Sequence, residues 1–274
     1  AAEIASALGT RPYNDHKELI GKVDAVSVVV PTQFHHVVAR DFLAAGVHVL
    51  IEKPITASIA EAEELIAIAD EKMLVFQVGH LERFNPVLVA LEGVLNQPLF
   101  IESVRIAPFK PRGTDVNVVL DLMIHDIELI QHIVKSPVDR IDAVGAPVFT
   151  GEEDIANARI VFENGCVANV TASRISFKSE RKMRIFQRDA YLTLDFQNRK
   201  VLVAQKGSGE LFPGVPNVKV DERELGQSDA LLNEIESFIA AIREGKPPQV
   251  SGRDGKMALE TALKINASLN RNFS

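Results

Sequence analysis

The sequence is poor in the features that mark secreted or membrane-spanning proteins. It contains a single cysteine, Cys166, in 274 residues, so no disulfide can form within the chain. This favours a reducing, cytoplasmic setting, and we expect Cys166 to be a small buried residue rather than a nucleophile. No apolar run reaches the length needed to span a membrane, and no secretory signal is visible.

The charge pattern argues against two further classes of partner. The formal net charge is −7 and there is no long basic run, which disfavours nucleic acid and anionic membranes as partners. Asp121, His125 and His132 could share one side of a helix, but no His-Glu-x-x-His motif or cysteine pair accompanies them, so we expect no metal site. With 46% hydrophobic and 24% charged residues, the composition is that of an ordinary globular chain.

The glycine-rich turn G-x-G-x-x-G of dinucleotide-binding folds is missing, since Gly9 and Gly21 are isolated and each is typical of a helix end. Strands and helices nevertheless alternate. The β-branched run Val23 to Val30 predicts a parallel strand covered on both faces, followed by a helix over Phe34 to Ala45 and a strand over Val47 to Ile51. We therefore expect a first strand–turn–helix crossover to precede this chain in the complete protein.

The element pattern predicts two domains. Residues 1–97 read as the remainder of a Rossmann-type parallel sheet, in an α/β fold that lacks its N-terminal part. Residues 98–274 hold several strand-like segments without helices between them, which predicts an α+β domain with a large antiparallel, open-faced sheet. Helices are predicted over Arg83 to Leu95, Leu120 to Val134, Ala230 to Glu244 and Gly252 to Asn270, and the last of these is free to pack back on the first domain.

An ionisable amine follows the buried run Val49 to Ile51. Pro54 cannot donate a ladder hydrogen bond and disfavours helix at the residue before it, so the strand should end near Lys53. Open α/β sheets bind their ligands at the carboxyl ends of their strands, which is where Lys53 would lie. Taken alone, however, Glu52-Lys53-Pro54 favours a surface lysine at a strand end over a functional one.

A carboxylate and an imidazole lie four residues apart in the predicted helix that starts at Leu120. At this spacing Asp121 and His125 share one face, one turn apart. A carboxylate beside an imidazole can fix its tautomer and direction, so the two form a usable acid/base pair. The alternative from the residues alone is a surface pair beside an apolar stripe.

Glu52-Lys53-Pro54 followed by Asp121-x-x-x-His125 resembles the Gfo/Idh/MocA family of oxidoreductases, and the resemblance covers nearly the whole chain. Gly79–Pro86 and Leu122–Ile127 are most similar to family members that act on nucleotide sugars. The resemblance implies hydride transfer to NAD, with NADP not excluded, from a ring hydroxyl of a nucleotide sugar such as UDP-N-acetylglucosamine. It also implies a homodimer or homotetramer assembled through the open sheet.

The resemblance assigns catalytic roles to Lys53, Asp121 and His125. Oxidation of an alcohol by hydride transfer requires a positioned base for the hydroxyl proton, and we expect His125 to be that base. Lys53 would hydrogen-bond the same oxygen and favour its developing negative charge, while Asp121 orients the pair. Which of Lys53 and His125 accepts the proton stays open.

The family resemblance places Pro31, Thr32, His35, Glu52 and Lys53 at the cofactor. Pro31 and Thr32 form the turn after a parallel strand, another position at the carboxyl edge of the sheet. For His35 two readings are equally supported. It either approaches the cofactor or packs beneath the turn.

Substrate recognition is predicted for Arg105, Arg112, Asn117 and Arg174. Arginine suits bidentate binding of a phosphate, which fits a nucleotide-sugar diphosphate, and plain surface charge explains these arginines equally well. Two alternative functions also remain. One is a dehydrogenase of free sugars or inositol in the same family, and the other is a non-catalytic NAD(P)-binding regulatory protein on the same fold.

Overall fold

The computed structural model describes residues 1–110 and 116–269, and they form two compact units. Unit 1 comprises Ala1–His80 and Glu234–Lys256, and unit 2 comprises Leu81–Asn233 and Met257–Ser274. The predicted division lay between residues 97 and 98, whereas the first unit ends at His80 and is completed by a segment from late in the chain.

Unit 1 is built on a three-stranded parallel sheet in the order β1-β2-β3. Its middle strand contains Val49, Leu50 and Ile51, which are buried, as expected for a parallel strand covered on both faces. The elements of this part of the chain are α1 (Ala2–Ala7), a 3-10 helix (His16–Leu19), β1 (Ala25–Val28), a 3-10 helix (Thr32–Phe34), α2 (His35–Ala44), β2 (His48–Glu52), α3 (Ile59–Glu71) and β3 (Phe76–Gly79).

Local sequence signals determine where these helices begin and end. The Ser58 side chain accepts a hydrogen bond from the Glu61 backbone N–H, and the Glu61 side chain accepts one from the Ser58 backbone N–H, so the two form a capping box at the start of α3. Asp15 and Glu18 form the same arrangement at the 3-10 helix that follows α1. Gly9 has a φ of +63°, a left-handed conformation that glycine adopts readily, and it follows α1 as predicted.

Unit 2 is built on an eight-stranded sheet in the order β11-β10-β9-β8-β4-β7-β6-β5. The sheet is mostly antiparallel, as predicted, but its central strands β4 and β7 pair in parallel, so it is mixed. The remaining strands are β4 (Pro98–Ile106), β5 (Val138–Ala146), β6 (Ile155–Phe162), β7 (Val167–Ser173), β8 (Glu180–Gln187), β9 (Ala190–Asp195), β10 (Lys200–Phe212) and β11 (Val215–Glu224).

One face of the large sheet is buried and the other is open. Along β6 buried residues alternate with exposed ones, so that Ala158 and Ile160 pack into the core while Asn157 and Arg159 are exposed. The buried face packs against α5 (Ile124–Val134) and the second part of α7 (Gly252–Leu269). The predicted open-faced sheet is therefore confirmed.

One prediction about unit 2 was wrong, and one of its hairpins was not predicted. The helix predicted over Arg83 to Leu95 is a 3-10 helix (Leu81–Phe84) followed by the single turn α4 (Pro86–Val89), and Gly93, at φ +77°, lies in the turns that follow. The hairpin that was not predicted is formed by β10 and β11. The cause is that nearly all β11 side chains are exposed, so its sequence lacks the alternation that marks a half-buried strand. Helix α6 (Ala230–Glu244) begins where predicted.

Candidate active site

The turn after β1 and the turn after β2 lie at the same edge of the parallel sheet of unit 1. Strand β1 ends at Val28 and β2 ends at Glu52, and in a parallel pair both carboxyl ends face the same way. Pro31 and Thr32 belong to the first turn, and Lys53 follows the second strand directly. Three of the five predicted cofactor residues thus lie on these two turns, and a fourth, Glu52, ends the strand before the second turn.

His35, the fifth predicted cofactor residue, is buried and joins the two turns. Its Nδ1 lies 2.9 Å from the carbonyl oxygen of Pro54, and its Nε2 lies 2.9 Å from that of Val30. Of the two readings of this residue, the packed one matches these contacts, because both ring nitrogens face backbone carbonyls. A direct contact with the cofactor finds no support in this geometry.

Glu52 and Lys53 are both partly buried. The Lys53 backbone N–H donates to Glu52 Oε2 over 3.2 Å, which holds the carboxylate back toward its own strand. Gly79 on β3 is paired with Glu52 on β2, and a Cβ added to Gly79 would lie 3.4 Å from the carboxyl carbon of Glu52. The absence of a side chain at Gly79 therefore leaves room for the Glu52 carboxylate.

A second carboxyl group near Glu52 was missed by the sequence analysis. Glu234 on α6 has only 2% of its surface exposed, and burial, followed by the negative charge of Glu52, raises its pKa to about 7. Gln77 donates from Nε2 to the Glu234 carbonyl oxygen over 3.1 Å. A signal was present, because Glu234 occupies the same helical face as the apolar residues Phe238 and Ala241.

In unit 2 the helix that carries the predicted acid/base pair is not a uniform α-helix. Asp121 lies in a π-helical segment, Val119–Met123, and His125 lies in the first turn of α5 directly after it. Both side chains are partly buried. A four-residue separation still spans about one turn, so the two residues remain on one side, and short π-helical segments are frequent at functional sites.

Asn117, a predicted substrate ligand, supports the start of this segment. Its Oδ1 accepts from the Leu120 N–H at 3.3 Å, and its Nδ2 donates to Asn266 Oδ1 at 2.9 Å and to Glu153 Oε2 at 3.3 Å. The Asp121 N–H in turn donates to the Asn117 carbonyl oxygen at 3.1 Å. The amide group is thus engaged with the protein itself.

Arg174 is buried and pairs with Asp154, a contact that the sequence analysis did not anticipate. Its Nε donates to Asp154 Oδ1 at 2.8 Å, its Nη1 to the Val116 carbonyl at 2.7 Å and its Nη2 to Thr150 Oγ1 at 3.0 Å. Burial opposes ionisation of Asp154, but the hydrogen bonds from Arg174 and from backbone N–H groups outweigh it and hold the pKa of that carboxyl well below its usual range.

Arg105 is likewise engaged inside unit 2. Its Nε donates to Asp126 Oδ2 at 2.7 Å and its Nη1 to Glu82 Oε1 at 2.9 Å. Burial opposes this charge, but the two carboxylates prevail and raise the pKa of the guanidinium. Arg105 and Arg174 are therefore committed to internal carboxylates, and their substrate contacts stay predictions. Arg112 lies outside the described residues.

The described residues bear on three expectations, which concern a metal site, a membrane-spanning helix and the reactivity of Cys166. Across residues 1–110 and 116–269, no group of three or more histidine, cysteine, aspartate or glutamate side chains could hold a metal ion. No helix in the same ranges is long and apolar enough to cross a membrane. Cys166 is buried, and burial raises the pKa of its thiol to about 11, so it stays protonated.

Comparisons with known proteins fit both units. Residues 1–80 match the model of the oxidoreductase family with an NAD-binding Rossmann fold, and residues 104–193 match the GFO/IDH/MocA C-terminal domain. Over 271 residues the chain is 40% identical to the UDP-N-acetylglucosamine 3-dehydrogenase of Acidithiobacillus ferrooxidans, which covers 98% of this chain and 86% of that protein. The chain belongs to the Gfo/Idh/MocA family.

Solved structures agree with this assignment. The Gfo/Idh/MocA fold of this chain matches the structure of the Acidithiobacillus ferrooxidans enzyme with a TM-score of 0.93 at 39% identity, over 98% of this chain and 86% of that chain. Levoglucosan dehydrogenase, solved in complex with NADH and levoglucosan, shares the fold with a TM-score of 0.86 at 19% identity, over 99% of this chain and 86% of that chain. The predicted fold class and the predicted NAD-dependent oxidoreductase of CH–OH groups are confirmed.

A more distant relative of this Gfo/Idh/MocA protein acts on a different substrate. The myo-inositol 2-dehydrogenase of Thermotoga maritima is 25% identical over 291 residues, covering 97% of this chain and 84% of that protein.

Proposed function

We propose that this protein oxidises a ring hydroxyl of a nucleotide sugar, specifically the C3 hydroxyl of UDP-N-acetylglucosamine, with NAD as hydride acceptor. The observation that carries the proposal is the 40% identity over 98% of the chain to a UDP-N-acetylglucosamine 3-dehydrogenase. The identity to the inositol dehydrogenase is only 25% over a similar length. A substrate like that of the more similar relative is therefore favoured.

The residues of unit 1 fit a dinucleotide. Adjacent parallel strands end at one edge of the sheet, where Pro31, Thr32 and Lys53 lie on the two turns and Glu52 ends β2. NAD, when bound, supplies the carbon that accepts the hydride. The protein then orients the cofactor and accepts the proton of the hydroxyl group. His35 supports these turns from beneath through its contacts with Val30 and Pro54.

We assign the transfer of the substrate hydroxyl proton to the residues of the family pattern. His125 takes the proton from the substrate hydroxyl as general base, which contributes typically 10²–10⁴-fold to such a step. Lys53 donates a hydrogen bond to the same oxygen, and Asp121 orients the imidazole. The spacing of Asp121 and His125 and the π-helical segment that contains Asp121 support this assignment.

Arginine suits the diphosphate of the substrate, and Arg112 is our candidate for it on residue type alone. Arg105 and Arg174 hold the framework through buried carboxylates, and Asn117 supports the start of the π-helical segment. We further propose that the protein is a cytoplasmic homodimer or homotetramer that associates through the open face of its large sheet.

The test uses the full-length protein and follows the absorbance of reduced nicotinamide at 340 nm. UDP-N-acetylglucosamine, free sugars and inositols are each offered with NAD and with NADP. We expect reduction with the nucleotide sugar and NAD. Reduction with inositol or a free sugar alone would contradict the substrate, and cofactor binding without any reduction would favour a regulatory protein instead.

A further inference from the structure

One face of the small parallel sheet carries a carboxyl group that the proposed chemistry does not use. Leu50 and Glu52 are two residues apart on β2, so their side chains point to the same face. Leu50 packs against Phe238 and Ala241 of α6, which places α6 over this face. Gln77 on β3 pairs with Leu50 on β2, and its side chain donates a hydrogen bond to the Glu234 carbonyl oxygen. Glu234 therefore lies on the same side of the sheet as Glu52.

Glu234 is poorly compensated as an anion. It lies on the inner face of α6, four residues before Phe238, and only 2% of its surface is exposed. Its Oε1 has no hydrogen-bond partner among the described residues, and neither does the buried Oε1 of Gln77. A buried carboxylate with an oxygen that has no hydrogen-bond partner is costly to ionise, so the neutral acid is favoured here.

The groups facing Glu234 come from three elements. Strand β2 contributes the Glu52 carboxylate, β3 contributes the uncharged amide of Gln77, and α6 contributes apolar neighbours. Lys53, the residue after Glu52, is the positive group next to the pair along the chain. Burial and the charge of Glu52 together raise the pKa of Glu234 to about 7, so a proton exchanges readily here near neutral pH.

We propose that Glu234 holds one exchangeable proton whose occupancy depends on the charges of Glu52 and of the bound nicotinamide, so that Glu234 is a positioning residue acting through Glu52. This inference rests on the proposed function. Glu52 lies at the carboxyl end of β2, where dinucleotides bind to such sheets. The oxidised nicotinamide ring is a cation and the reduced ring is neutral. A nearby cation favours two ionised carboxylates, whereas its loss favours protonation of one of them.

The proton comes from solvent and returns to solvent. The reduced cofactor should therefore bind with greater proton uptake than the oxidised one. Linkage makes the effect reciprocal, so a higher pH strengthens binding of NAD⁺ relative to NADH. For a single proton, the ratio of the two dissociation constants changes by at most about tenfold per pH unit.

The test is isothermal titration calorimetry of the full-length protein with NAD⁺ and with NADH at pH 7, in buffers of different ionisation enthalpy. The dependence of the observed heat on the buffer gives the number of protons exchanged. We expect more proton uptake with NADH than with NAD⁺, and we expect Glu234→Gln to abolish the difference. Glu236→Gln, an exposed residue of the same helix, should retain it.

Equal proton exchange with both forms of the cofactor in the wild-type protein overturns the inference without any variant. An unchanged difference in Glu234→Gln also overturns it. If both dinucleotides bind and the substrate is oxidised, either result affects this inference alone. If neither dinucleotide binds, the proposed function fails and this inference fails with it.

Discussion

The Arg174 guanidinium binds Asp154 through Nε at 2.8 Å and, on its other side, donates from Nη1 to the Val116 carbonyl at 2.7 Å. Val116 lies five residues before Asp121, and the intervening Val118 N–H donates to the Glu153 carbonyl at 2.9 Å. Residues next to Asp154 therefore hold the backbone that leads into the π-helical segment. We interpret this buried pair as the support of that segment.

Removing Arg174 should strongly destabilise the protein. Arg174→Ala leaves Asp154 buried without its charged partner, and breaking a buried pair in this way costs about 3–5 kcal/mol. Chemical denaturation measures the loss in the free energy of unfolding. Arg159→Ala, at an exposed arginine of the same sheet, is the matched control and should change stability by less than about 0.5 kcal/mol. Equal stability of the two variants would show that the pair contributes little.

Glu234 should make stability fall as pH rises toward neutrality. Its folded pKa is raised from 4.5 to about 7, so its stabilising contribution is complete below about pH 4.5 and is lost as pH rises through 7. Glu234→Gln lacks this dependence. Between pH 4.5 and 7 the free energy of unfolding of the variant should therefore increase relative to that of the wild type, by up to about 1.4 kcal/mol per pH unit.

Denaturation curves of both proteins from pH 5 to pH 9 measure that difference. It should grow up to about pH 7 and then level off, because both folded and unfolded Glu234 are ionised at higher pH. Glu236→Gln is the control and should follow the wild type at every pH. A constant difference across the range would mean that Glu234 does not titrate near neutral pH in the folded protein.

Much of the fold could be predicted because its elements carry local signals. The buried run Val49 to Ile51 and the capping box at Ser58 each specify an element without reference to the rest of the chain. Strand β11 carries no such signal, since nearly all its side chains are exposed and its place depends on pairing with β10. The parallel pairing of β4 with β7 joins strands distant in sequence, and no local pattern encodes it.

The candidate site was predictable only where residue type and position imply chemistry. Lys53 and His125 follow from a strand end and from a helical spacing. The prediction for Arg105 and Arg174 rested on residue type alone. Sequence does not distinguish an arginine that pairs with a buried carboxylate from one that binds a phosphate. Glu234 shares its helical face with Phe238 and Ala241, which indicates burial, but the sequence does not show that this face packs near Glu52.

Gly255 is required for close packing in unit 1. A Cβ at this position would lie 2.7 Å from Cγ2 of Val78, a β-branched side chain on β3 that cannot easily turn away. Overpacking of this kind costs about 1–3 kcal/mol, partly offset by the better helix propensity of alanine. We expect Gly255→Ala to lower the free energy of unfolding. Gly226→Ala, at an exposed glycine with no atom within 4 Å of the added carbon, should not.

His125 provides the most direct test of the proposed chemistry, because α5 carries its own control. His125→Ala removes the assigned base, so kcat for the nucleotide sugar should fall by about 10²–10⁴-fold. His132→Ala, at an exposed histidine of the same helix, should keep near-normal turnover. Both variants should bind NAD with wild-type affinity, which separates a loss of proton transfer from a loss of structure.

The pH profile of the wild type adds a second criterion. If His125 must be neutral to accept the hydroxyl proton, kcat should fall at acidic pH, where protonation of the imidazole removes the base. In His125→Ala this acidic limb should disappear from the residual activity, whereas His132→Ala should retain it. If the limb persists unchanged without His125, another group accepts the proton, and Lys53 becomes the preferred base. Lys53→Ala should then remove the limb that His125→Ala had left in place.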